Sequence, residues 1–372
     1  MKKNFISLGK IKGIPIGLDF SWFLIFVLIT WVLAVSYFPA QFKNWSLAAY
    51  WVCAAITSVI FFFSVLLHEL GHSFVAIKYH IKVRSISLFI FGGISDISQE
   101  PDKASHEFWI AIAGPLVSFL LAFIFYVVAI LFKSEPHIYA IFDYLALINL
   151  MLGIFNLIPG FPLDGGRVLR AIIWALTKDF KKSTNIAASV GRFFGFVFIL
   201  IGVFEVFQGG LFNGIWIAFI GWFLESAASS QVQSEKLQEI LSAHKVFEAV
   251  SSDYGIIRQG TTLQEVVDNH FLGIGRRSLI VKENDRIIGL LTLHKIQEVS
   301  RDKWNITDVV DAMIPASELI KADSNENLWS ALRKMDKDGV NQLPVFEDGE
   351  FKGILTRDSL LTFFKNIHEL GS

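Results

Sequence analysis

Five consecutive residues, His68-Glu69-Leu70-Gly71-His72, can begin a metal site. On a helix, two histidines four apart lie one turn apart on one face. Both imidazoles can then ligate one ion, with Glu69 beside them to work on a bound water. A catalytic zinc usually keeps three protein ligands and one open position, so a third donor must arrive from elsewhere in the chain. The run Asn156-Leu-Ile-Pro159-Gly-Phe-Pro162-Leu-Asp164-Gly165-Gly166 offers Asp164. Two plainer roles compete: the histidines as a polar seam satisfied by neighbouring helices, and Asp164 as the N-cap of the helix running toward Trp174. Asn156, polar in a long apolar run, either holds a peptide or donates to an oxyanion, or else hydrogen-bonds a broken helix end.

Holding these residues falls to a membrane part. Of 372 residues 53% are hydrophobic and 18% charged, with 36 Phe and 10 Trp, which excludes disorder, a collagen-like fibre and a nucleic-acid binder. The single cysteine, Cys53, makes no internal disulfide. Charges are sparse before about Glu225 and frequent after it, so a soluble part follows the membrane part. The apolar runs 20–38, 45–67, 108–132 and 144–163 are each long enough to span the hydrocarbon core. The stretch 184–224, interrupted by Arg192 and Glu205, reads as two shorter spans with a turn at Gly209-Gly210, giving six in all. Ionisable groups inside such a helix cost roughly 2.5–3.5 kcal/mol for a charged carboxylate alone, which favours a function for the histidine motif. Pro159 and Pro162 break the fourth span, and irregular backbone at that depth belongs where it lines a protein-walled or watery cavity.

Basic residues set the orientation. Lys2, Lys3, Lys10 and Lys12 precede the first span; Lys78, Lys82, Arg84 and Lys103 follow the second; Arg167, Arg170, Lys178, Lys181 and Lys182 follow the fourth. The alternate connections carry only Lys43, then Lys133, then nothing, so both termini are expected in the cytoplasm. The motif, a few turns before Lys78, then lies roughly 10–15 Å from the cytoplasmic boundary. The first run is too long for a cleaved signal peptide and ends in no small-residue cleavage site. Residues 85–98, rich in Ile, Phe and Ser with Gly92-Gly93 inside, suit a short hairpin beside the site, either an edge for an extended substrate or a packed loop. His106 and His137 are expected at loops or span ends, and Arg192 and Glu205 at opposite interfaces.

The last third repeats itself at about 64 residues: Gly275-Arg-Arg-Ser-Leu279-Ile-Val281 aligns with Gly339-Val-Asn-Gln-Leu343-Pro-Val345, and Gly289-Leu-Leu-Thr292 with Gly353-Ile-Leu-Thr356. Each copy predicts helix, strand, turn (Glu283-Asn-Asp285 and Glu347-Asp-Gly349), strand and helix. This pattern resembles a tandem pair of CBS domains over 243–365. The resemblance implies an adenine nucleotide such as ATP in the cleft between the copies, with Thr292, Thr356 and Asp358 as its contacts. The family's usual Asp three residues after each Thr is replaced by Lys295 and Ser359.

The membrane part resembles the site-2 proteases, intramembrane zinc metalloproteases. The match comprises the HExxH at His68, the Asn-x-x-Pro-x-x-Pro-x-Asp-Gly run from Asn156 to Gly165, Ala113-Gly114-Pro115 in the third span and Gly92-Gly93 after the second. With the C-terminal pair it looks like the CBS-bearing branch of bacteria and archaea, and no PDZ insertion is visible. The resemblance implies one zinc on His68, His72 and Asp164, and Glu69 as the general base that returns its proton to the leaving amine. It also implies regulated intramembrane proteolysis of a membrane-spanning or membrane-attached regulatory protein.

The expected architecture is an α-helical polytopic membrane domain of about six transmembrane helices followed by an α/β tandem CBS module. Its divisions are a protease domain at 1–228, a linker at 229–242, and CBS domains at 243–304 and 305–372. The module is expected to tune the protease and is a possible site of homo-oligomer contact. The competing class is a CBS-regulated ion or metal transporter, whose polar groups would be spread across the bilayer rather than gathered near one face. A catalytically dead nucleotide sensor is disfavoured by the intact His68, Glu69, His72 and Asp164.

Overall fold

The computed structural model describes residues 5–90, 92–97, 100–251, 254–272, 276–284 and 286–370. Lys2, Lys3, Ser98, Gly275 and Asp285 lie outside them. The chain divides into two compact units, 1–233 and 234–372.

Among the described residues six helices are long and apolar enough to cross a membrane: α1 (Phe20–Gln41), α2 (Leu47–Lys78), α3 (Ala104–Leu131), α4 (Pro136–Asn156), α6 (Phe180–Phe207) and α7 (Leu211–Ala243). A shorter amphipathic helix, α5 (Asp164–Thr177), separates the fourth and fifth. Several bounds differ from the apolar runs. α2 continues through the histidine motif to Lys78, since His68 and His72 are buried against protein and need no exit from the helix. α4 starts at Pro136 and stops at Asn156, not 163, because Pro159 has no amide proton to continue the ladder. The last two spans are long helices of 28 and 33 residues, not short ones, and they do break at Gly209, whose φ of +94° a glycine adopts without strain. Residues 229–242, expected as a linker, are helical as the last turns of α7.

The hairpin expected at 85–98 exists as β3 (Val83–Phe89) and β4 (Gly92–Ile97), but it belongs to a larger sheet. β1 (Phe5–Ile11) and β2 (Ile14–Asp19), ahead of the first span, extend it in the order β1-β2-β3-β4, with β2 and β3 parallel and the other pairs antiparallel. Its apolar face, including Ile14, Ile16, Ile86 and Leu88, packs on Val65, Leu66 and Leu70 of α2. The sheet therefore clamps the helix around the motif and leaves β4 as an edge strand. α3 packs against α2, α4 and α5, which makes it the floor on which the two halves of the site meet.

The second unit contains both copies of the repeat. β5 (Gly255–Arg258) runs parallel to β6 (Ser278–Glu283), which pairs antiparallel with β7 (Arg286–Thr292), and β8 (Ile314–Pro315) completes that sheet. In the second copy β9 (Ala322–Asp323), β10 (Gln342–Glu347) and β11 (Glu350–Thr356) repeat the arrangement. The sequence pattern missed the short parallel strands β5 and β9. A bulge falls between Val281 and Lys282 in one copy and between Val345 and Phe346 in the other, at matching places in the repeat. Helices flank the strands: α8 (Leu263–Val266) and α9 (Leu293–Gln297) in the first copy, α10 (Leu328–Asp338) and α11 (Arg357–Leu370) in the second. Leu279, Val281 and Leu291 fill the first core, and Leu343, Val345 and Leu355 the second.

Candidate metal centre

His68 and His72 project from one face of α2 into protein, each only 4% exposed. His72 Nδ1 donates to the Ile110 carbonyl of α3 at 2.6 Å, which fixes its tautomer and leaves Nε2 with a free lone pair. His68 Nδ1 lies 2.8 Å from Ser118 Oγ, on the same helix α3. The two Nε2 atoms are 3.2 Å apart. Asp164 Oδ2 is 3.1 Å from each of them. A tetrahedral ion with ligands at 2.0–2.1 Å keeps its ligand atoms about 3.3 Å apart, so the three donors have the spacing of zinc ligands and leave a fourth position open.

Delivery of Asp164 depends on the broken segment after α4. Asp164 is the first residue of α5, Leu163 is the N-cap, and no side chain caps this end among the described residues. The capping role is therefore not taken, and the carboxylate turns to the histidines instead. Gly114 of α3 sits under the cluster: a Cβ there would lie 2.2 Å from His72 Nε2 and 2.6 Å from His68 Nε2. The backbone of α3 thus comes close enough to the two imidazoles to leave no room for a side chain there.

Glu69 lies one residue on, half-buried, with Ser95 of β4 donating to its Oε2 at 2.7 Å. Asn156 ends α4, and its Nδ2 donates to the Leu152 carbonyl at 3.0 Å, the helix-end bond foreseen as its plainer role. His106 and His137 occupy the first turns of α3 and α4 as span-end residues, His106 stacked on Tyr79 at 4.1 Å and His137 tilted against Trp45 at 4.3 Å. Arg192 is exposed and bonds Ser189.

In the second unit Thr292, Thr356 and Asp358 line one cleft of about 980 Å³, with Arg277, Lys295 and Arg357 on its wall. Each threonine caps a helix: Thr292 Oγ1 accepts from the Lys295 amide at 3.3 Å, and Thr356 Oγ1 from the Ser359 amide at 3.0 Å. The Ser359 hydroxyl in turn accepts from the Thr356 amide and donates to the Thr356 carbonyl.

Four features of the membrane part escaped the sequence reading: Ser118, the Ile110 carbonyl, Ser95, and the pairing of Arg170 with Glu107. Arg170 counted there as a loop cation for orientation, yet it is buried, with Nε donating to Glu107 Oε1 at 2.7 Å. A carboxylate just before an apolar run is the only signal that could have pointed to such a pair.

Comparison with known proteins accords with this geometry. Residues 56–141 and 132–200 match Peptidase family M50, and residues 307–366 match the CBS domain. A protein of Synechocystis sp. named as a zinc metalloprotease is 34% identical over 361 residues, 96% of this chain and 95% of its own. The zinc metalloprotease MJ0392 of Methanocaldococcus jannaschii is 29% identical over 96% of this chain and 95% of its own. A solved site-2 protease from Methanocaldococcus jannaschii is 35% identical, covers 61% of this chain and 95% of its own, and has a TM-score of 0.43. The similarity to the Synechocystis protein along nearly its whole length leaves one assignment: the chain belongs to peptidase family M50, the site-2 protease-like zinc metalloproteases, and carries a C-terminal CBS domain region.

Proposed function

We propose that the chain is an intramembrane zinc endopeptidase that cuts a membrane-spanning or membrane-attached regulatory protein near its cytoplasmic end. The observation that carries this is the convergence of His68 and His72, on a helix apolar enough to span a bilayer, with Asp164 to within 3.2 Å of one another. Zinc held by these three residues would supply Lewis acidity for attack of water on a peptide carbonyl. Glu69 takes the proton of the attacking water and returns it to the leaving amine. Ser118 and the Ile110 carbonyl hold the two imidazoles in the ligating orientation, and α3 walls the site from lipid. Asn156, at the end of α4, holds the peptide or its developing oxyanion once its bond to Leu152 is exchanged.

In the same proposal both termini face the cytoplasm, residues 1–228 form the protease domain and 229–242 join it to the CBS domains at 243–304 and 305–372. An adenine nucleotide in the CBS cleft tunes cleavage by favouring one arrangement of that module, which is also the surface through which chains associate. The test is a pair of variants. Glu69→Gln is expected to lose cleavage of a membrane-anchored reporter and keep one zinc per chain by metal analysis, whereas His72→Ala loses both. Retained turnover in Glu69→Gln removes the carboxylate from the mechanism, and a full zinc complement in His72→Ala removes the metal assignment.

A further inference from the structure

β4 does more at the site than border it. Its outward residues Ile94 and Asp96 are exposed, while the side chain between them, Ser95, points back at α2. The Ser95 hydroxyl has one proton and two acceptors in range, Glu69 Oε2 at 2.7 Å and the Glu69 carbonyl at 3.4 Å, and the shorter contact takes it. Ser73, fully buried one residue beyond His72, donates to Ser95 Oγ at 3.3 Å. The backbone of Gly93 closes the other side: a Cβ at this position would lie 2.4 Å from Glu69 Cγ and 3.0 Å from Oε1. Glu69 is thus confined between its own helix and the edge strand, and its carboxylate is tied through two hydroxyls back to α2.

We propose that Ser95 is a positioning residue for proton transfer: its hydroxyl holds Glu69 Oε2, so that Oε1 is left to accept the proton from the attacking water and to hand it on to the leaving amine. The physical need is plain. A glutamate has three rotatable side-chain bonds, and a base that swings between rotamers spends most of its time out of line with the proton it must take. A charge-assisted bond from a hydroxyl fixed on a strand removes that freedom, and the second hydroxyl from Ser73 polarises the first. Docking of the β3–β4 hairpin on α2 and aiming of the base then become one event.

This inference rests on Glu69 being the base, and the experiment separates the two. Full-length protein is assayed in proteoliposomes with a single-span fluorescent fusion that the wild type cuts, for kcat, KM and bound zinc. Ser95→Ala is expected to lower kcat by roughly tenfold or more, with KM and zinc content unchanged, and Ser95→Thr, which keeps the hydroxyl, is expected to stay within a few-fold of wild type. A rate unchanged in Ser95→Ala while Glu69→Gln is inactive overturns the role of Ser95 and leaves the base in place. An active Glu69→Gln overturns the base and this inference with it. Loss of zinc in Ser95→Ala, a change in KM alone, or equal losses in the alanine and threonine variants all mark a structural role instead.

Discussion

Arg170 and Glu107 form an ion pair closed off from solvent, the two residues 3% and 0% exposed. Besides the Nε bond, Arg170 Nη2 contacts the same Oε1, and the guanidinium lies against the rings of Phe161 and Phe180 at 5.1 and 4.6 Å. The pair joins α5, which begins at Asp164, to α3, which orients both histidines. Phe161 belongs to the broken segment that delivers Asp164, so the same cation holds the segment and its helix.

Removing one member of this pair leaves the other buried without its charge. Arg170→Leu is expected to destabilise the protein by roughly 3–5 kcal/mol and to weaken zinc binding, measured by thermal unfolding in detergent and by chelator competition. Arg170→Leu combined with Glu107→Leu is expected to cost less than Arg170→Leu alone. Equal or greater loss in the double variant would show that the aromatic contacts, not the charges, hold α5.

Ser118 faces His68 Nδ1 at 2.8 Å, the ring nitrogen other than the one facing Asp164. Ser118→Ala is expected to lower zinc affinity by about 10- to 100-fold, as losses of outer-shell partners do, with the fold intact by circular dichroism. Unchanged affinity would mean that packing alone sets the His68 ring.

Orientation can be tested with tags. Tags at either terminus are expected to react only from the cytoplasmic side, and one between Lys133 and His137 only from outside. The burial of Arg170 removes one charge from the count after the fourth span, but Arg167, Lys178, Lys181 and Lys182 remain. An outward C-terminus would contradict six crossings.

Residues 243–365, with a buried core in each copy, are expected to fold alone as a soluble unit that supplies no catalytic group. The Ser359 hydroxyl is spent within its own turn and so does not substitute for the usual carboxylate on a ribose. ATP, ADP and AMP are therefore expected to bind more weakly than micromolar by calorimetry. Micromolar binding at both half-sites would show that Thr292, Thr356 and the basic wall suffice.

Legibility in the sequence followed the range of the interaction. The juxtaposition of His68 and His72 was readable because one helical turn brings them together, and the approach of Asp164 because two prolines announce a break at the matching depth. The 64-residue repeat was readable because strand registers recur, down to the bulges after Val281 and Val345. Ser95, Ser118 and the Arg170–Glu107 pair were not, since lone hydroxyls carry no spacing signal and the ion pair joins helices 63 residues apart. The sheet was half seen because β1 and β2 are completed only by β3, across two spans. Helix ends drifted for a related reason: an apolar run continues after the backbone has turned, as it does beyond Asn156.

The closeness of Gly114 to both imidazoles means that the room for an ion is kept by the lack of a single methyl group. Gly114→Ala would fill that room from the helix side without altering any ligand. A change of one base in a glycine codon is enough to make it. Metal binding can therefore be lost through a position that offers no donor atom of its own.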